Sequence, residues 1–395
     1  MAIPAVQTAR SESFAIWTMA FRPFFLAASA WSAAALAGWV VMLTMGLTLP
    51  SRFAPLTWHI HEMLFGFVMA AIAGFMLTAI PNWTDRAPIS GKPLAALATL
   101  WLAGRLACLV SALIPLWLAA AIDLSFPFLL FAVAAREIIC SRNWRNLPMP
   151  VPIAILGFAD LLMHLELAGF AVPVGLGWRL GLAAIMVLIS IVAGRIIPVF
   201  TRNWLAKRGV VDLPATHGTV DSVALGTLHA GMIGWAFFPT FQPVGAVLLF
   251  AAALNLWRLM RWRGIATWAE PLLTILHVGY FWVVIGAALL GASMLTGQVP
   301  KAAAIHALTA GAIGTMVLGV MTRVSFGHSA RALRADRITV LIYLLVVLAA
   351  MVRVVAAISG SSLALIQISA VLWIGSFFLF TLWYGRIMLT PPISN

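Results

Sequence analysis

Residues 58–83 read WHIHEMLFGFVMAAIAGFMLTAIPNW. Two histidines and a glutamate open the stretch, and no charged residue follows from Met63 to Pro81. About 20 apolar residues cross the hydrocarbon core of a bilayer as a helix, so this segment predicts a membrane span that starts at a cluster of titratable groups. The rest of the chain has the same character. Hydrophobic residues make up 63% of the 395 residues and charged residues 9%, with a mean hydropathy of +1.05. A soluble core cannot hide that much apolar surface, so lipid must be the main solvent.

Twelve spans are expected, near 24–48, 58–80, 94–114, 116–135, 150–170, 176–200, 221–238, 243–260, 271–295, 302–321, 338–358 and 363–385. The fold class is an all-α polytopic integral membrane protein. It has a cytoplasmic lead at 1–23, a single transmembrane domain at 24–386 and a cytoplasmic tail at 387–395. The lead lacks a compact apolar run with a small-residue cleavage site and is not read as a signal peptide. Only Pro115 divides 94–135, which is either a tight hairpin or one span with a re-entrant piece.

The net charge of +13 would suggest nucleic acid in a soluble protein. Here it follows the bilayer instead, and no nucleic-acid partner is expected. With both termini inside, 18 of the 24 Lys and Arg residues fall in inner loops and ends. Arg52, Arg179 and Lys301 lie outside, and Arg105, Arg195 and Arg353 lie within spans. A wrong helix count would scramble this asymmetry. Tryptophans at span ends (Trp58, Trp83, Trp144, Trp204 and Trp262) read as an aromatic belt. The two cysteines, Cys108 and Cys140, suggest neither a disulfide framework nor a thiolate metal site.

A faint repeat accompanies the spans. AIPNWTDR, IIPVFTRNW and GVMTRVSFGH end spans two, six and ten, with Thr84, Thr201 and Thr322 separated by 117 and 121 residues. Four spans fill each interval, which fits a three-times-four plan. Ordinary helix-end chemistry gives the same residues.

Titratable groups inside spans are costly and usually functional. Seven of the eight histidines lie in spans or at their ends, and His217 lies in a loop. The topology puts His59, His61, His164 and His306 near the outer face and His229, His277 and His328 near the inner one. The two layers are about 15–20 Å apart at a rise of 1.5 Å per residue. Imidazole is a common metal ligand and a usual axial ligand of b-type haem. Two layers fit two redox centres, or one centre and a proton route. Against this, a lone intramembrane histidine more often makes an interhelical hydrogen bond.

His59 and Glu62, three apart, are expected to share a helix face. His61 points away from His59, so the two histidines serve different centres or the helix starts after His59. Glu62, Gly66, Ala70 and Gly74 form a ladder that admits a neighbouring helix or a flat macrocycle, and His306, Ala310 and Gly314 repeat the spacing. Glu62 is expected to supply protons or to orient a ligating histidine. Arg195 is expected to face an internal anion. Arg105 has a haem propionate, Asp160, Glu166 or the headgroups as expected partners.

At these residues the chain resembles the NnrS family of polytopic membrane proteins of the bacterial nitric oxide response. The resemblance rests on FRPFFLAAS (Phe21–Ser29), WHIHEMLFGF (Trp58–Phe67), GFMLTAIPNWT (Gly74–Thr84), AGRIIPVFTRN (Ala193–Asn203) and HALTAGAIGTMVLGVMTRVSFGH (His306–His328). It implies a multi-pass protein of the bacterial inner membrane that carries haem and copper and protects against nitric oxide. It carries His59, His61, Glu62, Arg195, His306, Arg323 and His328 as motif positions, whereas His164, His229 and His277 rest on depth. The expected function is nitric oxide binding and reduction on one or two b-type haems, either alone or with copper, and with electrons from membrane quinol. A proton-coupled transporter using the same His and Glu residues stays open, as does a non-enzymatic haem or copper carrier or a sensor.

Overall fold

The computed structural model describes residues 15–391, Thr216 excepted. Arg10, most of the expected lead and the last residues of the expected tail lie outside the described residues. Twelve long helices follow in order: α1 (Phe21–Met45), α2 (Pro55–Thr84), α3 (Gly91–Leu109), α4 (Leu116–Cys140), α5 (Val151–Leu167), α6 (Leu176–Ala206), α7 (Thr219–Phe237), α8 (Gln242–Arg261), α9 (Pro271–Thr296), α10 (Lys301–Gly327), α11 (Arg337–Ile358) and α12 (Leu363–Leu389). Each expected span has its helix, and the described residues contain no strand. Eleven of the helices are long and apolar enough to cross a membrane. The other, α7, has 19 residues and carries Asp221, Ser222, Thr227 and His229, which dilute its apolar content.

The segment 94–135 is a tight hairpin. Helix α3 ends at Leu109, and α4 starts directly after Pro115, whose fixed φ suits a helix start. The turn lies beside the α1–α2 connection: Arg52 donates through Nε to Ser111 O at 2.9 Å, and Ser51 Oγ donates to Cys108 O at 2.9 Å. At the opposite end of the bundle, Arg86 pairs with Glu137, Asn143 donates to Trp83 O, and Arg195 donates to Asn146 Oδ1 at 3.3 Å. Successive loops therefore alternate between the two ends, as the basic-residue pattern requires.

Neighbours in sequence pack as neighbours in space, and α1 against α12 closes the ring. Arg22, fully buried at the start of α1, fastens this seam. Its Nη1 donates to the carbonyls of Met388 at 2.8 Å and Thr390 at 2.6 Å, which the end of α12 leaves without helical partners. Helices α2, α6 and α10 touch one another inside the ring. Helix α2 is the most enclosed of the eleven apolar helices. Spans two, six and ten thus meet one another, each four helices from the next. Thr84, Thr201 and Thr322 are all buried.

Two expectations from residue type fail on packing. Trp58 and Trp262 are 3% and 2% exposed, so they belong to the interior rather than to an aromatic belt. Trp262 lies against Tyr280 at 4.7 Å between ring centroids and under the Arg258 guanidinium. The small-residue ladder of α2 is filled by α1 side chains. A Cβ on Gly66 would come 2.7 Å from Trp31 Nε1, and one on Gly74 would come 2.6 Å from the Phe25 ring. Helix packing therefore occupies the face where a macrocycle was one of two expectations.

Candidate functional site: a buried polar cluster beside an apolar cavity

Helix α2 does not continue as a regular α-helix after His61. Residues Glu62–Val68 form a π-helical segment, and Ala307–Ile313 of α10 form a second one directly after His306. A π turn holds more residues per turn than an α turn and so re-aims the side chains that follow it. Both segments start next to a histidine, and both border the same interior.

The first site lies on the α2–α5 side. His61 and Glu62 come from α2, Arg105 and Cys108 from α3, Asp123 from α4, and Asp160 and His164 from α5; every one is buried. His61 Nδ1 lies 3.1 Å from Glu62 Oε1. Its Nε2 lies 2.9 Å from Asp160 Oδ1 and 3.1 Å from Asp123 Oδ2. His164 Nε2 lies 3.0 Å from the same Asp123 oxygen. Cys108 Sγ donates to Asp123 Oδ2 at 3.2 Å. Arg105 donates through Nη1 to Glu62 Oε2 at 3.0 Å and pairs with Asp123 through Nη2. Trp31 Nε1 donates to Glu62 Oε2 at 2.8 Å, and Phe53 stacks on His61 at 4.7 Å.

Close helix approach makes this possible. Gly104 faces Asp123, whose Cα would lie 3.1 Å from a Cβ at that position. Only the missing side chain lets α4 come near enough for Asp123 to reach Arg105. On α5, Asp160 and His164 are four residues apart and share a face.

The charge balance of the cluster is uneven. Three carboxylates face one guanidinium, and a buried charge without a counter-charge is expensive. Both ring nitrogens of His61 contact carboxylate oxygens, yet a neutral imidazole has one N–H. A second proton or a cation must offset the excess. One ligand atom from each of His61, Cys108, Asp123 and His164 lies within 4.8 Å of the others. Two nitrogens, one sulfur and one oxygen form a donor set that suits zinc or copper.

The second site is an apolar cavity of about 400 Å³ bounded by α1, α2, α6, α10, α11 and α12. Its polar lining includes His59, His306, Thr309, Arg353 and Ser369, and no carboxylate lines it among the described residues. His59 stacks on Trp39 at 4.5 Å. His306 Nδ1 lies 2.7 Å from Ala302 O, which fixes that nitrogen as the protonated one and leaves the Nε2 lone pair available. His59 Nδ1 and Arg353 Nη1 are buried without hydrogen-bond partners.

The expected outer histidines therefore divide into two pairs: His61 with His164 in the cluster, and His59 with His306 at the cavity. Glu62 does not act with His59, because it turns to His61, Arg105 and Trp31. The inner histidines form no common centre. His229 Nε2 pairs with Ser190 Oγ at 2.8 Å, and His277 Nε2 pairs with Thr201 Oγ1 at 3.0 Å. Ser190 and Thr201 are eleven residues apart on α6, about 16 Å at helical rise. His328 packs against Phe21, with 6.0 Å between ring centroids.

Arg195 is exposed and reaches Asn146 rather than an internal anion. Arg323 lies over the Phe200 ring at 3.9 Å, away from both sites. Arg105 pairs with Glu62 and Asp123; Glu166 instead accepts from Gly175 N at 3.0 Å.

Sequence reasoning missed Cys108 and Asp123 as site members, and it gave Arg353 no role. The signal was present: Asp123 interrupts the apolar run LAAAIDLSFPF, and an ionisable residue inside a span is a functional candidate by default. Cys108 carried no such signal, since a buried cysteine is also an ordinary small apolar residue.

No curated protein matches the chain. The family described as NnrS protein matches over residues 15–391. That match runs from before α1 to beyond α12 and includes every residue of both sites, so this multi-pass helical membrane protein belongs to the NnrS family.

Proposed function

We propose that this chain is a haem- and copper-dependent redox protein of the bacterial inner membrane that binds nitric oxide and reduces it with electrons from membrane quinol. The observation that carries the reading is the buried cluster of His61, Cys108, Asp123 and His164, one helix turn from a cavity bordered by His59 and His306. Two histidine sites of different chemistry share one helix.

The cavity residues fit a haem. Its lining is apolar, and His306 keeps a free Nε2 because Nδ1 is held by Ala302. Arg353 adds an unpaired donor at the wall. His306 and His59 are the residues that would hold the iron. The cluster fits a copper ion through the imidazoles of His61 and His164, the Cys108 sulfur and Asp123. When bound, these groups supply one-electron chemistry and a binding position for a diatomic ligand.

The chain's own residues act around that chemistry. Arg105 holds Asp123 and Glu62 in place by charge. Glu62 fixes the His61 ring through Nδ1, which leaves Nε2 for the cluster. Trp31 and Phe53 cover Glu62 and His61 on the bundle side. Proton delivery is assigned to Glu62, which contacts His61 on the Nδ1 side, away from the ligand set, and is held by Arg105 and Trp31.

A second reading is supported by the same charge excess: protons in place of a cation would make the cluster the relay of a proton-coupled transporter. A visible spectrum and metal analysis of the purified protein separate the two. The redox reading expects a Soret band, copper in stoichiometric amount and nitric oxide consumption with a quinol donor. Absence of both haem and copper from protein made in replete cells would overturn it in favour of the relay. Bound haem without consumption of nitric oxide would leave a carrier or sensor.

A further inference from the structure

We infer that Arg353 is an anion-holding residue of the apolar cavity and that it selects a ligand with an apolar body and a carboxylate or phosphate group. Arg353 comes from α11 and borders the cavity together with His59 and His306. Its Nη1 is buried and has no hydrogen-bond partner, and it forms no ion pair among the described residues. Among the described residues no carboxylate lines the wall, and its hydroxyls are already engaged. Ser369 Oγ is committed to Ala349 O at 2.8 Å, and Thr309 Oγ1 to Ile305 O at 2.9 Å. Neither offers an anionic partner.

A guanidinium N–H turned inward without an acceptor is costly, and an anionic oxygen relieves that cost with a charge-assisted bond. Because the rest of the wall is apolar, the anion has to arrive attached to an apolar body. A haem propionate is one source of such an oxygen, and a lipid or fatty-acid headgroup is another. The haem source rests on the redox reading above, while the anion requirement does not.

The test uses the full-length protein purified in detergent without haem. Native mass spectrometry measures its retention of haem b, haem b dimethyl ester, oleate and methyl oleate. Wild type is expected to retain the free acids about tenfold to a hundredfold more tightly than the matching esters, the range for one charge-assisted hydrogen bond. Arg353→Leu is expected to lose that preference, and Arg353→Lys to keep most of it. An unchanged thermal transition shows that the leucine variant is folded; if that variant fails to fold, the lysine variant and the acid–ester comparison in wild type decide the matter.

Equal binding of haem and its ester, and of oleate and its ester, would overturn the inference while leaving the haem reading intact if haem binds. Retention of oleate over its ester without any haem binding would support Arg353 as the anion holder and overturn the haem reading.

Discussion

His59 and His61 are separated by Ile60 alone, yet they serve different chambers. His61 Nε2 lies 2.9 Å from Asp160 Oδ1 in the polar cluster, while His59 stacks on Trp39 at 4.5 Å on the wall of the apolar cavity. Residues two apart on a helix differ by about 200° in direction, so one turn of α2 supplies both sites.

That separation predicts separable phenotypes. His164→Ala or Cys108→Ala should reduce copper content of the purified protein by about tenfold or more and leave the haem spectrum in place. His306→Ala should do the reverse. Elemental analysis and absorption spectra of the same samples check both; loss of haem and copper together in each variant would show one coupled centre.

Arg105 bridges two buried carboxylates. Arg105→Leu leaves Glu62 and Asp123 without their counter-charge and should destabilise the protein by about 3–5 kcal/mol. Thermal unfolding in detergent measures this. Pairing the change with Asp123→Asn should recover part of the loss, because the second substitution removes one of the stranded charges.

The inner histidines should behave as structural side chains. His229→Ala and His277→Ala each remove one hydrogen bond to a hydroxyl and should cost about 1 kcal/mol. Metal content and the visible spectrum should remain those of the wild type. A spectral change in either variant would place a cofactor near α6 after all.

Gly74 meets the Phe25 ring where α1 crosses α2. Gly74→Ala should cost about 1–3 kcal/mol through overpacking, visible as a lower melting temperature. Gly226, inside α7 with nothing within 4 Å of an added Cβ, serves as the control, and Gly226→Ala should be neutral to slightly stabilising.

Asp336 lies outside the spans and caps α11, accepting from Thr339 N at 2.7 Å. Burial pushes its carboxyl up, but hydrogen bonds from Thr339 and Trp383 outweigh this and hold it below the ordinary value. A depressed carboxylate contributes stability above its ordinary titration range and loses it as pH falls through the folded value. Wild type should therefore melt higher than Asp336→Ala near neutral pH, and the gap should narrow as the pH falls below about 4. A gap independent of pH would mean that the charge plays no part.

The site was partly legible in the chain. His61, Glu62 and His164 stood out because ionisable groups within long apolar runs demand partners. Cys108 and Asp123 were not connected to them, since nothing local says that α3 and α4 turn these residues inward together. Arg195 misled because a guanidinium near a span end reads the same whether it faces an anion inside or water at the rim. The division between His59 and His306 on one side and His61 and His164 on the other depends on helices brought together from opposite ends of the sequence.

The sequence alone determined the twelve helices, the alternation of their ends and the presence of buried titratable groups. These follow from local hydropathy and from loop charge, which each segment meets independently in a bilayer. The tertiary structure decided which groups meet. Glycine contacts such as Gly104 on Asp123, the π-helical turns after His61 and His306, and the packing of α2, α6 and α10 at the centre set those encounters. Contacts between helices depend on the rotation and spacing of whole elements, and a one-residue change in register re-aims every side chain beyond it.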